Sequence, residues 1–201
     1  MGKYSASKSS TVRGRPIAGI LAIMALVLSS SACTLMAPHY TPSTGNVQSL
    51  RDGGAYLARV SDFGSEPGQN NENPLTIRGN TILSPYNGSY AGYLAEALRQ
   101  ELALAKKWSD SADTAITGTV LGNVVNAPVS STGTVDIKVR FAVTRGSQKR
   151  YEQVKSVHHE FPSEFVGAIA IPRAVQEYQV AVQKLLGSLY GDQAFIAALK
   201  P

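Results

Sequence analysis

The side chains of this chain whose types could carry chemistry are few: one thiol, one adjacent pair of imidazoles and one aspartate closing an apolar run. Cys33 is the only cysteine among 201 residues and ends the run Leu28-Ser29-Ser30-Ser31-Ala32-Cys33. A lone thiol just behind an apolar segment suggests an attachment point for lipid. It also excludes an internal disulfide and metal binding by paired thiolates, since both need a second cysteine. His158-His159 is the one side-by-side pair of strong metal ligands. Neighbours on a strand project to opposite faces, so the pair reads as one solvated histidine beside one half-buried one, with no metal expected. Asp62 could act as an acid or base, but no second carboxylate is linked to it by spacing. Accepting backbone hydrogen bonds at the start of the next loop suits it better. The sequence has no Gly-x-Ser-x-Gly elbow, no phosphate-binding glycine loop with Lys-Ser/Thr and no His-Glu-x-x-His. Neither an enzymatic activity nor a cofactor is expected.

The residues around Cys33 explain why its thiol matters. Residues 1–16 hold Lys3, Lys8, Arg13 and Arg15 with no acid, and Ile17 to Leu28 are twelve residues without a charge. Small residues then lead to Cys33. This is the three-part pattern of a secretory signal peptide, over residues 1–32. The apolar core is shorter than the roughly 20 residues a membrane span needs. Cleavage before a cysteine resembles the lipobox of bacterial lipoproteins, although Ser30 stands where leucine is most frequent. The resemblance implies a diacylglyceryl group on Cys33 and a further acyl chain on the new amino terminus (palmitate being typical). One chain binds membranes only marginally, whereas two or more anchor stably. Thr34 follows, where lipoproteins kept in the inner membrane often carry Asp, so the resemblance implies the outer membrane, facing the periplasm.

The formal net charge of +5 is misleading, because four of the 19 basic residues lie in the leader and all 14 acids lie beyond it. The remainder is almost balanced, which leaves no electrostatic footprint for nucleic acid. The roughly 169 residues after the leader suffice for one domain with a core. Residues 34–54, rich in Pro, Gly, Ser and Thr without a lasting period, read with Cys33 as a lipidated cysteine and flexible tether over 33–54, with His39 and Tyr40 solvated. Residues 55–201 form a single α+β domain.

Within that domain the alternation of Ala55–Phe63 predicts a first strand, and Gly64–Asn73 a polar loop. Residues 74–88 hold two apolar pairs around Gly79-Asn80, open to a small hairpin or an irregular flap. A helix runs from a cap at Ser89 or Asn87 to about Lys107, with Tyr90, Leu94, Ala97, Leu98 and Leu102 on one stripe. Trp108 should then fold back on the sheet. Thr114–Val125 alternates with Ile116, Val120 and Val124 on one face. Gly118 and Gly122 lie there too, inviting a close approach to the backbone. Val135–Val143 alternates most cleanly, the signature of an antiparallel sheet covered on one side. A return strand spans Arg150 to about Phe161, with a parity slip between Val154 and Val157 that suggests a bulge. Pro172 suits the first turn of a second long helix ending at Gly191, and Asp192 caps a terminal turn. The expected fold is a two-layer α+β sandwich of order β-α-β-β-β-α, an antiparallel sheet of about four strands with two helices on one face.

Val60-Ser61-Asp62-Phe63, then a polar loop, then Tyr93-Leu94-Ala95-Glu96-Ala97-Leu98 resembles the opening of the curli-secretion and penicillin-binding-protein-activator lipoproteins, and is similar to the YajG-type lipoproteins. The lipopolysaccharide-assembly lipoprotein shares the element order. A curli-type pore would need extra amphipathic hairpins that this chain lacks, and the YajG-type group departs least. The resemblance implies a lipid-anchored outer-membrane protein that contacts an envelope protein as an accessory subunit. The alternative is a carrier of lipid or a small ligand with a pocket between helices and sheet. One stretch stands out: Phe165, Val166, Ile169 and Ile171 in Ser163–Ile171 are apolar without a polar partner face. It either crosses the core or forms an exposed docking surface, to which Tyr86 and Tyr90 could add.

Overall fold

The computed structural model describes residues 1–3, 34–129 and 131–201. Residues 4–32 of the leader and Cys33 therefore lie outside the described residues. The organising element is strand β6 (Thr132–Arg145), whose Val135, Ile137, Val139, Phe141 and Val143 are all at most 1% exposed. Their period of two fixes one face inward and leaves Asp136, Lys138 and Arg140 on the other. Strands β5 (Thr114–Asn126) and β7 (Gln148–Pro162) flank β6 antiparallel, as the alternation predicted. The fourth strand, β2 (Arg59–Ser65), pairs with β5 in parallel, giving the order β2-β5-β6-β7. The sheet is thus mixed rather than antiparallel. Helix α2 (Tyr90–Leu104) separates β2 from β5 and carries the chain back across the sheet, as a parallel pair requires.

A second sheet was not foreseen: β1 (Thr34–Met36), β4 (Asn80–Leu83) and β3 (Leu75–Ile77), in the order β1-β4-β3. β3 and β4 form the small hairpin that residues 74–88 left open. Its two-residue turn, Arg78-Gly79, has φ +50° and +76°. Positive φ at both central positions matches the twist of the flanking strands.

Among the described residues four helices, not two, pack on this frame. Residues 34–54 are no flexible tether: they form β1 and then α1 (Thr44–Asp52), capped by Ser43. Ala37, Tyr40, Val47 and Leu50 are buried, so Tyr40 is a core residue and not a solvated one. The helical period here amounts to Val47 and Leu50, too short a signal to register, and what holds the segment is long-range. α2 starts at Ser89, whose Oγ accepts from Gly92 N–H at 3.1 Å, and stops at Leu104 because Lys106 takes φ +59°. α3 (Gly167–Tyr190) begins five residues before Pro172, so that proline sits inside the helix and removes one bond instead of opening it. α4 (Gln193–Leu199) is capped by Asp192 as expected, its carboxylate accepting from Ala194 N–H at 2.9 Å.

Leu94 and Leu98 from α2 and Tyr178, Val182 and Leu185 from α3 fill the space above Ile116, Val139 and Phe141, each at most 1% exposed. Gly118 lies under Phe63, whose ring would stand 2.3 Å from a β-carbon there, so the expected close approach is real. Two expectations about the strands need correction. A bulge between Val120 and Gly122 flips the inward face to Asn123 and Val125, taking Val124 off the face of Ile116 and Val120. The irregularity of β7 falls at Arg150, between the pairs Val143↔Tyr151 and Thr144↔Lys149, while Val154 to Val157 run in continuous register. Trp108 does return to the sheet, bridged to Ala58 and half-buried.

Candidate interaction surface

Where β5 ends, β6 begins and β7 ends, three loops meet at one arginine. Arg78, in the turn of the β3–β4 hairpin, donates to the carbonyls of Ala127 at 2.6 Å, Pro128 at 2.6 Å, Glu164 at 2.5 Å and Phe165 at 3.1 Å. Its Nη2 also reaches Ser163 Oγ at 3.2 Å, and that hydroxyl donates to Pro128 at 2.7 Å. The planar guanidinium presents its donors as a fixed fork, so one side chain holds the loop after β5 against the segment before α3. Arg78 does this from a left-handed backbone that glycine or asparagine would adopt more readily.

The clamp presents apolar side chains to solvent. Phe165 is 75% exposed, Ile169 56%, Val166 51% and the adjoining Val129 51%. Ala170, fully buried, and Ile171, partly buried, root the first turn of α3 beneath them. Within Ser163–Ile171, Phe165, Val166 and Ile169 thus lie at the surface and do not cross the core. The two tyrosines do not join it. Tyr90 is 1% exposed and donates to Ile82 C=O at 3.1 Å. Tyr86 is half-buried, its hydroxyl accepting from Tyr40 N–H at 3.1 Å. Both belong to an aromatic lattice with Tyr93 and Tyr178, at centroid distances of 5.0–6.1 Å. Tyr90 starts the α2 stripe, which faces the core, whereas Tyr86 lies in the turn before the helix.

The remaining candidates are not brought together. His158 is exposed, its Nδ1 2.6 Å from Asp136, and hydrogen bonds to Asp136 and then Glu160 raise its pKa. His159, on the opposite face, is buried between Lys184, which donates to Nδ1 at 2.9 Å, and Glu177, 2.7 Å from Nε2. The split is the one expected of strand neighbours. Asp62 is exposed within β2, not at a loop start. Among the described residues no three metal-ligating side chains converge, and no helix is long and apolar enough to cross a membrane.

The sequence reading missed Glu101, whose side chain is fully buried. It accepts from Tyr40 Oη at 2.6 Å, Ser43 N–H at 2.9 Å and Asn46 Nδ2 at 3.2 Å, and Asn46 also donates to Gln183 C=O at 2.9 Å. Desolvation raises its pKa, opposed by these hydrogen bonds. Tyr190 lies close enough to favour the ionised carboxylate, yet its buried hydroxyl meets no acceptor at good geometry. The group fastens the 37–52 segment to α2 and α3. Its signal was present in the sequence: 101 falls four residues after Ala97 and seven after Leu94 on the buried stripe.

No protein-family model matches this chain. No curated protein matches it either. Its fold is similar to that of protein XCC0632 from Xanthomonas campestris, of the DUF330 family, at 10% identity and TM-score 0.56, over 82% of this chain and 96% of that one. A provisionally assigned lipoprotein of Caulobacter crescentus CB15 aligns at 16% identity and TM-score 0.44, over 79% and 99% of the two chains. The Neisseria meningitidis lipoprotein GNA1162 aligns at 13% identity and TM-score 0.23, over 62% and 98%. The first likeness shows a shared fold, and the other two are too distant to show one.

Proposed function

We propose that this chain is a lipoprotein of the bacterial envelope, anchored through acyl chains on Cys33 in the outer membrane and facing the periplasm, where it works by contact as an accessory subunit of an envelope assembly. The supporting observation is that Thr34, the residue directly after Cys33, already belongs to a paired strand. Thr34 pairs with Thr81 in β1–β4, and the segment behind it is fastened to Glu101. A cleaved and acylated Cys33 thus becomes the first residue of a folded body, with a basic and apolar leader placed where export requires it. The carrier alternative needs space between helices and sheet. Leu94, Leu98, Ile116, Val139, Phe141 and Leu185 fill that layer to at most 1% exposure, so packing favours contact over carriage.

Intact-mass analysis and membrane fractionation test the anchor. The native product should carry added acyl mass at Cys33, and Cys33→Ser should leave the domain folded but release it from membranes. Retention of Cys33→Ser on membranes after a salt wash refutes the anchoring. Crosslinking in intact cells tests the role: a stoichiometric envelope protein supports it, and a co-purified lipid with no protein supports the carrier.

A further inference from the structure

The geometry points to a second membrane contact: we infer that the apolar end formed by Val129, Phe165, Val166 and Ile169 seats in the lipid bilayer that holds Cys33. The inference rests on the lipidation proposed above and goes beyond it, because it gives the domain one orientation. The positional argument runs through the strands. Cys33 precedes Thr34 by one peptide, about 3.8 Å between α-carbons. Thr34 lies beside Thr81 on the neighbouring strand, about 4.8 Å away. Thr81 is three residues from Arg78, at most about 10 Å of chain. Arg78 in turn bonds the carbonyls of Glu164, Phe165 and Pro128. The acylation point and the apolar end are therefore at the same end of the molecule. With no slack chain between Cys33 and β1, these steps bound the separation at roughly 20 Å plus the length of the Arg78 side chain.

Chemistry selects the bilayer over a protein occupant. Leu35 and Met36, directly after the anchor, are 40% and 63% exposed. With the four residues above they make six of the nine large apolar side chains exposed among the described residues from 34 onward. Glu164 at the rim lies 3.9 Å from Arg173, which also faces Glu177 at 3.9 Å. An aromatic ring and branched aliphatics standing out from a polar rim are what partitions into the boundary between headgroups and acyl chains. The arrangement also has a distal consequence. The open groove of about 580 Å³ lined by Tyr56, Lys107, Asp113 and Arg145 lies where β5 starts and β6 ends. At roughly 3.3 Å per residue along β6, it stands about 40 Å from the bilayer end.

The test uses the full lipidated chain in vesicles of phosphatidylethanolamine and phosphatidylglycerol. Acylated Cys33 leaves no free thiol, so Phe165→Cys and Ile169→Cys each take one fluorophore. Val154→Cys, exposed on the outer face of β7, is the reference. We expect quenchers on the lipid chains to act at 165 and 169 at least fivefold more strongly than at 154, with the order reversed for an aqueous quencher. Labels at 165 and 169 as open to water as the one at 154 overturn the inference. Labels shielded from water but untouched by lipid-borne quenchers also overturn it, in favour of a second copy or another protein. Acyl mass on Cys33 is measured on the same sample. Its absence would defeat the lipidation, whereas its presence with water-exposed labels would defeat the docking alone.

Discussion

Replacing Glu101 by alanine isolates the clasp that holds residues 37–52 onto the domain. The change leaves Tyr40 Oη and Ser43 N–H without their acceptor, while Asn46 keeps Gln183. A buried donor left unpaired costs about 1–3 kcal/mol. Two such losses, reduced by the relief of no longer burying a carboxylate, come to about 3 kcal/mol. For a domain of this size that lowers Tm by roughly 6–12 °C. Glu101→Gln keeps an oxygen for Tyr40 and Ser43, so it should lose about 1 kcal/mol. The two variants also differ from the parent in pH dependence. The folded pKa of Glu101 lies above its unfolded value, so its contribution is full below the unfolded pKa and is lost as pH rises through the folded one. The parent should therefore gain on Glu101→Gln as pH falls from 7 towards 4.5. Circular-dichroism melts of the chain from residue 34, with amide exchange of Thr44–Asp52, make the measurement. An alanine variant within 1 kcal/mol of the parent, with α1 still protected, refutes the clasp.

Arg78→Ala should speed amide exchange over residues 163–170 by about 30-fold, corresponding to roughly 2 kcal/mol of local opening, while the strands stay protected. Unchanged exchange there would show that the loops hold themselves. Asp192 is lowered to about 2 by its hydrogen bonds with Lys155 and Tyr151 and by capping α4, so its contribution is full above the unfolded pKa and fades as pH falls from about 4 to 2. Asp192→Asn should accordingly lose about 1 kcal/mol at pH 7 and close most of the gap at pH 2, in melts across that range. Gly118→Ala puts a methyl 2.3 Å from Phe63 and should cost about 1–3 kcal/mol, most of it recovered by Phe63→Leu in a double-mutant cycle.

The central sheet was legible because β6 obeys a single rule from Val135 to Val143: each second residue is aliphatic or aromatic and goes inward. The stripe of α2 and the Asp192 cap were read for the same kind of reason. What escaped depends on distant partners. β2 looked like the start of an antiparallel sheet because strand direction is set by the crossover through α2, not by its own residues. Residues 34–54 looked like a tether because Tyr40 and Asn46 find their partner only at Glu101, some 55–61 residues later. Tyr86 and Tyr90 were grouped with Phe165, but the Tyr90 hydroxyl meets Ile82 C=O inside the core and the Tyr86 hydroxyl accepts from Tyr40 N–H at its edge. The exposed run at Phe165 was visible as an anomaly, whereas the guanidinium that shapes it comes from 87 positions away.

Because β1 runs parallel to β4 and starts at Thr34, any tension applied through residue 33 is drawn along that strand and not across it. The rungs of β1 would be sheared together instead of peeled one by one, the stiffer way to load a short ladder. Should they yield, the freed segment would next pull on the carboxylate that grips Tyr40 and Ser43, and only afterwards on the four-stranded sheet. The domain thus has a sacrificial first stage, which a force ramp applied through residue 33 should record as a small extension preceding the main rupture.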